Sequence, residues 1–201
     1  MTSVRFTEEM LGHVTFGESD FARGAQTGRD GSEFLKFHLT IEVADMERFS
    51  QDPMRQAGAV GYLQCDALGG RLPVERGWFN LFVDVEPGVK HMLYRLWFRD
   101  GAGHPLTMTG FKVVKDDAGF DVWKDTTTLF TRVLQGHVEE GDDDTATVIA
   151  SGIIIIRARD FAKQLTTFRG APGGLVKFGV IFVQQLAEAY VFKGRRKRVA
   201  A

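Results

Sequence analysis

Cysteine is almost absent from this sequence. Cys65 is its only thiol, which excludes an intrachain disulfide and any zinc site built on several thiolates. Surplus charge is missing as well. Lys plus Arg is 25 and Asp plus Glu is 26, so the net charge is 25 − 26 = −1. Such a chain does not coat nucleic acid by bulk electrostatics, and no nucleic-acid partner is expected. No window reaches the roughly 18 apolar residues that span a bilayer, and Met1 to Glu9 contains no apolar signal core. A reducing, cytoplasmic location is the expectation.

The familiar site motifs are missing too. Neither G-x-G-x-x-G nor G-x-x-x-x-G-K-[ST] occurs, which argues against a dinucleotide or P-loop site and leaves no cofactor implied. The five histidines, His13, His38, His91, His104 and His137, include no pair at i+2 or i+4, so no metal site is expected. No G-x-S-x-G elbow is present. Cys65 lies near a strand end and reads as a small, semi-buried hydrophobe, not a catalytic thiol.

What is present is β pattern. Proline is scarce at 5 residues, while glycine reaches 23 and phenylalanine 17, a folded, β-rich and turn-rich composition. At roughly 150 residues per domain, 201 residues make one domain. From Ser32 to Val43, Leu35, Phe37, Leu39, Ile41 and Val43 share one face, opposite Lys36, His38, Thr40 and Glu42. A period of two marks a strand with one buried side. Further strands are expected over Gly12–Phe16, Ala57–Asp66, Trp78–Val85, His91–Arg99, Leu106–Val114, Thr126–Leu134 and Thr145–Arg157. Turns rich in Gly, Asp and Pro separate most of them, including Asp116-Asp117-Ala118-Gly119. Gly17 to Gly31, with four glycines and mixed charge, reads as a mobile surface loop or lid. Gly152 suggests a bulge or bend in the last strand.

About eight sequential antiparallel strands are enough to close a barrel. The fold expected is mainly β, a closed or nearly closed antiparallel barrel of calycin- or lipocalin-like architecture. An open sheet gripped by a helix is the main alternative. The barrel occupies 1–158, C-terminal helices 160–192 and a basic tail 193–201. Asp160 is expected to cap the first helix, carrying Phe161, Leu165 and Phe168. The break Ala171-Pro172-Gly173-Gly174 precedes a second helix, Leu175 to Phe192. There Leu175, Phe178, Phe182, Leu186 and Ala189 form an apolar stripe widened by Val176, Val180 and Val183.

Candidate site residues follow from this frame. Phe37, Tyr62, Phe79, Phe82, Tyr94, Phe98 and Phe111 are expected to face inward. If Leu106–Val114 and Thr126–Leu134 are neighbours, Lys112 approaches Asp125 across the hairpin, as an ion pair or, with Thr127, as a polar floor for a ligand. A lysine among apolar walls can also serve as a base or Schiff-base amine. The ligand-binding set is therefore Tyr94, Phe98, Phe111, Lys112, Asp125 and Thr127.

Several segments carry a resemblance: Phe37-His38-Leu39-Thr40-Ile41-Glu42-Val43, Asp66-Ala67-Leu68-Gly69-Gly70-Arg71-Leu72-Pro73-Val74-Glu75 and Asn80-Leu81-Phe82-Val83-Asp84. Gly110-Phe111-Lys112-Val113-Val114 and Trp123 to Phe130 extend it. Over residues 6–169 the chain resembles the accessory, non-flavin domain of some bacterial glucose–methanol–choline, cholesterol oxidase-like oxidoreductases, as a stand-alone version. The flavin-binding fingerprint of that group is missing here, and no catalytic residues carry over. The resemblance implies a link to lipid, steroid or other apolar-substrate metabolism.

Three functions follow as expectations. The first is a non-catalytic binding module for an apolar small molecule, lipid or sterol-like, acting beside an oxidoreductase. The second is a cofactor-free isomerase, cyclase or lyase using the barrel interior, with Lys112 and Asp125. The third is a structural domain that docks through Leu175 to Phe192. A homodimer through the apolar helix and peripheral membrane contact through the basic tail belong to the same set of expectations.

Overall fold

The most regular alternation in the chain becomes one of its most buried strands. In the computed structural model, which describes residues 2–31, 33–115 and 122–196 and side chains to 190, β2 (Phe34–Val43) buries Leu35, Phe37, Leu39, Ile41 and Val43 together. Each residue loses backbone entropy on ordering, and five buried apolar side chains on one face offset that loss. The remaining strands are β1 (Val4–Phe16), β3 (Gln56–Cys65), β4 (Gly70–Glu86), β5 (Val89–Arg99), β6 (Pro105–Lys115), β7 (Thr128–Gln135) and β8 (Val148–Ile155), with a short β9 (Arg169–Gly170).

Every sequential pair from β2 to β8 is antiparallel, and β8 returns to β1. β1 in turn pairs with β2 from Val4↔Val43 to His13↔Phe34. The ladder therefore closes, which excludes the open sheet. The chain is mainly β: an eight-stranded antiparallel barrel, one strand outside it, and helices at its C-terminal end.

Closure is uneven along β1. Its β8 ladder covers only Leu11–Phe16. On that same edge Val4 and Arg5 pair instead with β9, and the Thr7 amide donates to Thr167 Oγ1 at 2.8 Å. The barrel wall thus splays at one end, and the C-terminal segment fills the gap. Three helices gather there: α3 (Val122–Thr127), α4 (Ala158–Leu165) and α5 (Pro172–Arg196). α1 (Phe21–Gly31) and α2 (Met46–Gln51) lie between β1 and β2 and between β2 and β3. Asp45 caps α2 through its Oδ1, as the Asp-then-helix pattern implies.

Several local expectations are corrected. The first strand begins at Val4, not Gly12. Residues 21–31 form a helix, because Gly24 and Gly28 let its backbone lie directly against β8 and β1. A Cβ at Gly28 would sit 2.1 Å from the Val14 carbonyl oxygen. The last barrel strand is eight residues long, and its β1 register runs unbroken through Gly152. There the glycine serves close backbone approach, with a Cβ placed 2.1 Å from the His13 carbonyl oxygen. Arg157, not Asp160, occupies the N-cap position of α4, and Asp160 accepts from Arg157 Nε at 2.7 Å. α5 starts at Pro172, where a missing N–H costs nothing. Val176, Val180 and Val183 face solvent and do not widen the packed stripe. The turn at 116–119 and the tail from 197 lie outside the described residues, as do the side chains of 191–196.

Candidate functional site in the helix-capped end of the barrel

The interior divides into two halves. Toward the end where β1 and β8 pair, Met10, Leu35, Leu63, Leu96, Phe98 and Met108 are fully buried against one another. That half is packed core. Toward the splayed end, a cavity of about 700 Å³ opens between barrel and helices. The barrel contributes Phe6, Phe79, Leu81 and Met92; the helices contribute Trp123, Phe161, Leu175, Phe178 and Phe182. This volume lies within the usual range for small-molecule sites.

One polar cluster lines the cavity. Glu8, on the inward face of β1, accepts from Lys112 Nζ at 2.6 Å. The Tyr94 hydroxyl donates to Glu8 Oε2 at 2.9 Å and lies 3.2 Å from Oε1. Lys112 and Glu8 side chains are only 3% and 2% exposed, so each ion depends on the other for its solvation. Burial and the neighbouring Glu8 carboxylate push the Tyr94 phenol well above its ordinary range. It stays neutral and remains a donor at neutral pH. A fourth polar group, Gln164 of α4, lines the same cavity, and its Oε1 is buried without a hydrogen-bond partner among the described residues.

The helical cap is anchored at its rim. Lys90, pointing inward from β5, reaches Asp84 at 2.7 Å, Gln185 at 3.0 Å and Glu188 at 3.1 Å. Tyr190 donates to Asp125 at 2.9 Å. Phe178 packs against Phe6, Phe49 and Phe168, and Phe182 meets Phe82 edge-on. Phe82 reaches that position through an irregularity in β4. The β4–β5 register shifts between Asn80 and Val83, and Phe82 has φ 52°. Arg55, also at positive φ, donates from Nη1 to the Phe82 carbonyl at 3.0 Å. Backbone of this kind costs about 1–3 kcal/mol and persists only when held by its surroundings.

Of the six residues singled out from the sequence, Tyr94 and Lys112 meet at the cavity. The other four do not join them. Phe98 is interior but belongs to the packed half. Phe111 points outward, stacked on Phe130 and His91 with Phe21 edge-on. Tyr62, also expected inside, lies on the outer surface against His38 and under Arg71. The expected Lys112–Asp125 pair is replaced by Lys112–Glu8. Asp125 lies on α3 and serves Tyr190 and the Lys115 amide. Thr127 Oγ1 donates to the Trp123 carbonyl one turn back.

Sequence reasoning missed Glu8 and Gln164. A signal for Glu8 was available: Val4, Phe6, Met10 and Val14 keep the inward phase of β1, and Glu8 interrupts it. Cys65 is buried, and burial pushes its thiol up, away from reactivity. Among the described residues no group of His, Cys, Asp and Glu is arranged to hold a metal ion, and no helix is long and apolar enough to cross a membrane. No family model matches the chain, and neither does any curated protein or solved structure.

Proposed function

We propose that this chain is a non-catalytic binding module for an apolar small molecule, lipid or sterol-like, seated in the helix-capped end of the barrel. The observation that carries this reading is the cavity of about 700 Å³ with aromatic and aliphatic walls and one polar corner. Apolar walls supply affinity, and a few placed polar groups set orientation. The calycin-like architecture and the resemblance to an oxidoreductase accessory domain agree with a guest from apolar-substrate metabolism, in a cytoplasmic setting.

The assembly fits the same reading. Val176, Val180 and Val183, at i, i+4 and i+7 on α5, are 67%, 49% and 64% exposed. A second copy of the chain packing there makes a homodimer. In the sequence, Lys193, Arg195, Arg196, Lys197 and Arg198 follow this apolar stretch, and an anionic membrane surface is the natural counterpart of such a basic run.

A second reading, a cofactor-free isomerase, cyclase or lyase, draws on the concentration of titratable groups in one apolar cavity. Its residues are Lys112, Glu8 and Tyr94 instead of Lys112 and Asp125.

Native mass spectrometry of protein purified from expressing cells tests the binding reading. An adduct that organic solvent extracts is the expected result. Gly179→Trp should abolish it without unfolding the chain, because Gly179 lines the cavity and has open space around its Cβ direction. An adduct that survives this substitution, or none in the wild type under gentle conditions, overturns the reading.

A further inference from the structure

We propose that the guest is uncharged, that it places a carbonyl or hydroxyl group against Lys112 and Glu8, and that a second hydrogen-bonding group on it meets Gln164. This rests on the binding reading above and names the chemical class of its ligand.

Charge is the first argument. Glu8 and Lys112 are the only charged side chains lining the cavity among the described residues. At 2.6 Å they cancel each other, and Tyr94 adds a neutral phenol. The polar corner is therefore neutral as built. A carboxylate head would bring a second anion beside Glu8 into a desolvated space, with no spare cation among the described lining residues to meet it. A buried anion calls for a compensating partner, and Lys112 is already matched by Glu8.

Hydrogen-bonding capacity is the second argument. An ammonium carries three N–H donors. Among the described residues Lys112 uses one, on Glu8. A guest carbonyl oxygen can accept another. Glu8 offers about four lone-pair positions, and Lys112 and Tyr94 account for three contacts. A guest hydroxyl can donate to what remains.

Gln164 is the third. Its Oε1 is buried and unpaired among the described residues, and burial without a partner is unfavourable for an amide. It stands on α4, in the helical cap, whereas Lys112 and Glu8 stand on the barrel wall. A guest lying between wall and cap meets both. An amide can offer its oxygen or its nitrogen, and a hydroxyl answers either one.

Displacement of Nile red, a neutral apolar dye, tests the inference. The competitors are a long-chain methyl ketone, a primary alcohol and a carboxylate of equal length, at neutral pH. A keto alcohol with its hydroxyl at the far end probes Gln164. The wild type should bind ketone and alcohol at least about tenfold more tightly than carboxylate. Glu8→Gln leaves the Lys112 charge unmatched and should reverse that order. Gln164→Leu should weaken the keto alcohol about tenfold and leave the simple ketone unchanged.

If the dye binds and the wild type prefers the carboxylate or ranks the compounds equally, the inference is overturned while the binding reading stands. If neither the dye nor any competitor binds, the binding reading fails and this inference with it. If ketone and keto alcohol weaken together in Gln164→Leu, the second contact is overturned. If Glu8→Gln fails to fold by circular dichroism, the wild-type ranking decides alone.

Discussion

Glu8 occupies an inward position on β1 between Phe6 and Met10, where the strand otherwise buries apolar side chains. Its partner Lys112 sits inward on β6 between Gly110 and Val114. Removing either partner strands a charge in the barrel, which costs about 3–5 kcal/mol. Glu8→Leu and Lys112→Met should each lower stability by that order. The double variant should recover much of the loss, because apolar replacement of both ions leaves no charge unpaired and strands only the Tyr94 hydroxyl. Urea unfolding at neutral pH measures the cycle, and strictly additive losses would show that the two side chains are not coupled. Neither residue's role is legible in a single strand. Lys112 stands out in the sequence because it lies near an expected hairpin, whereas its actual partner is 104 positions away.

α1 shows where local pattern misleads at the scale of an element. Four glycines between Gly17 and Gly31 read as loop, since glycine disfavours helix by about 1 kcal/mol per residue. Two of them, Gly24 and Gly28, instead admit the backbones of β8 and β1 to contact, and tertiary packing outweighs propensity. Gly28→Ala should cost about 1–3 kcal/mol through forced separation of helix and strand. Gly179→Ala, in the middle of α5 with nothing within 4 Å of its Cβ direction, should instead gain about 0.5–1 kcal/mol. Thermal unfolding of the two variants checks the opposite signs, and two shifts of the same sign would refute the packing argument. α3 departs from its local pattern in a related way. Thr126 and Thr127, which follow Asp125, read as the start of a strand, yet both hydroxyls turn back onto the carbonyls of Val122 and Trp123. The strand itself begins only at Thr128.

For the molecule as a whole, the uneven closure of the barrel matters most. One half is core, and the other half is completed by a C-terminal segment that pairs with β1 and caps the cavity. Truncation after Gly170 removes α5 with Phe178, Phe182 and the Lys90 anchor points. The β signature in circular dichroism should persist, since none of the eight barrel strands is lost. Nile red affinity should fall by about tenfold or more, because one wall of the cavity has gone. Undiminished binding by the truncated chain would place the guest elsewhere.

The alternation of apolar and polar residues determined by itself that this chain forms half-buried antiparallel strands, and their number made a barrel the economical arrangement. That much is local: a two-residue period reports one-sided burial whatever lies across from it. Only the tertiary structure decided which inward side chains meet. Glu8, Tyr94 and Lys112 meet, and Gln164 lines the same cavity, because the ladder closes through β1 and the helices return over the splayed end. Contacts of that kind depend on register and closure around the whole barrel, and no short window of sequence contains them.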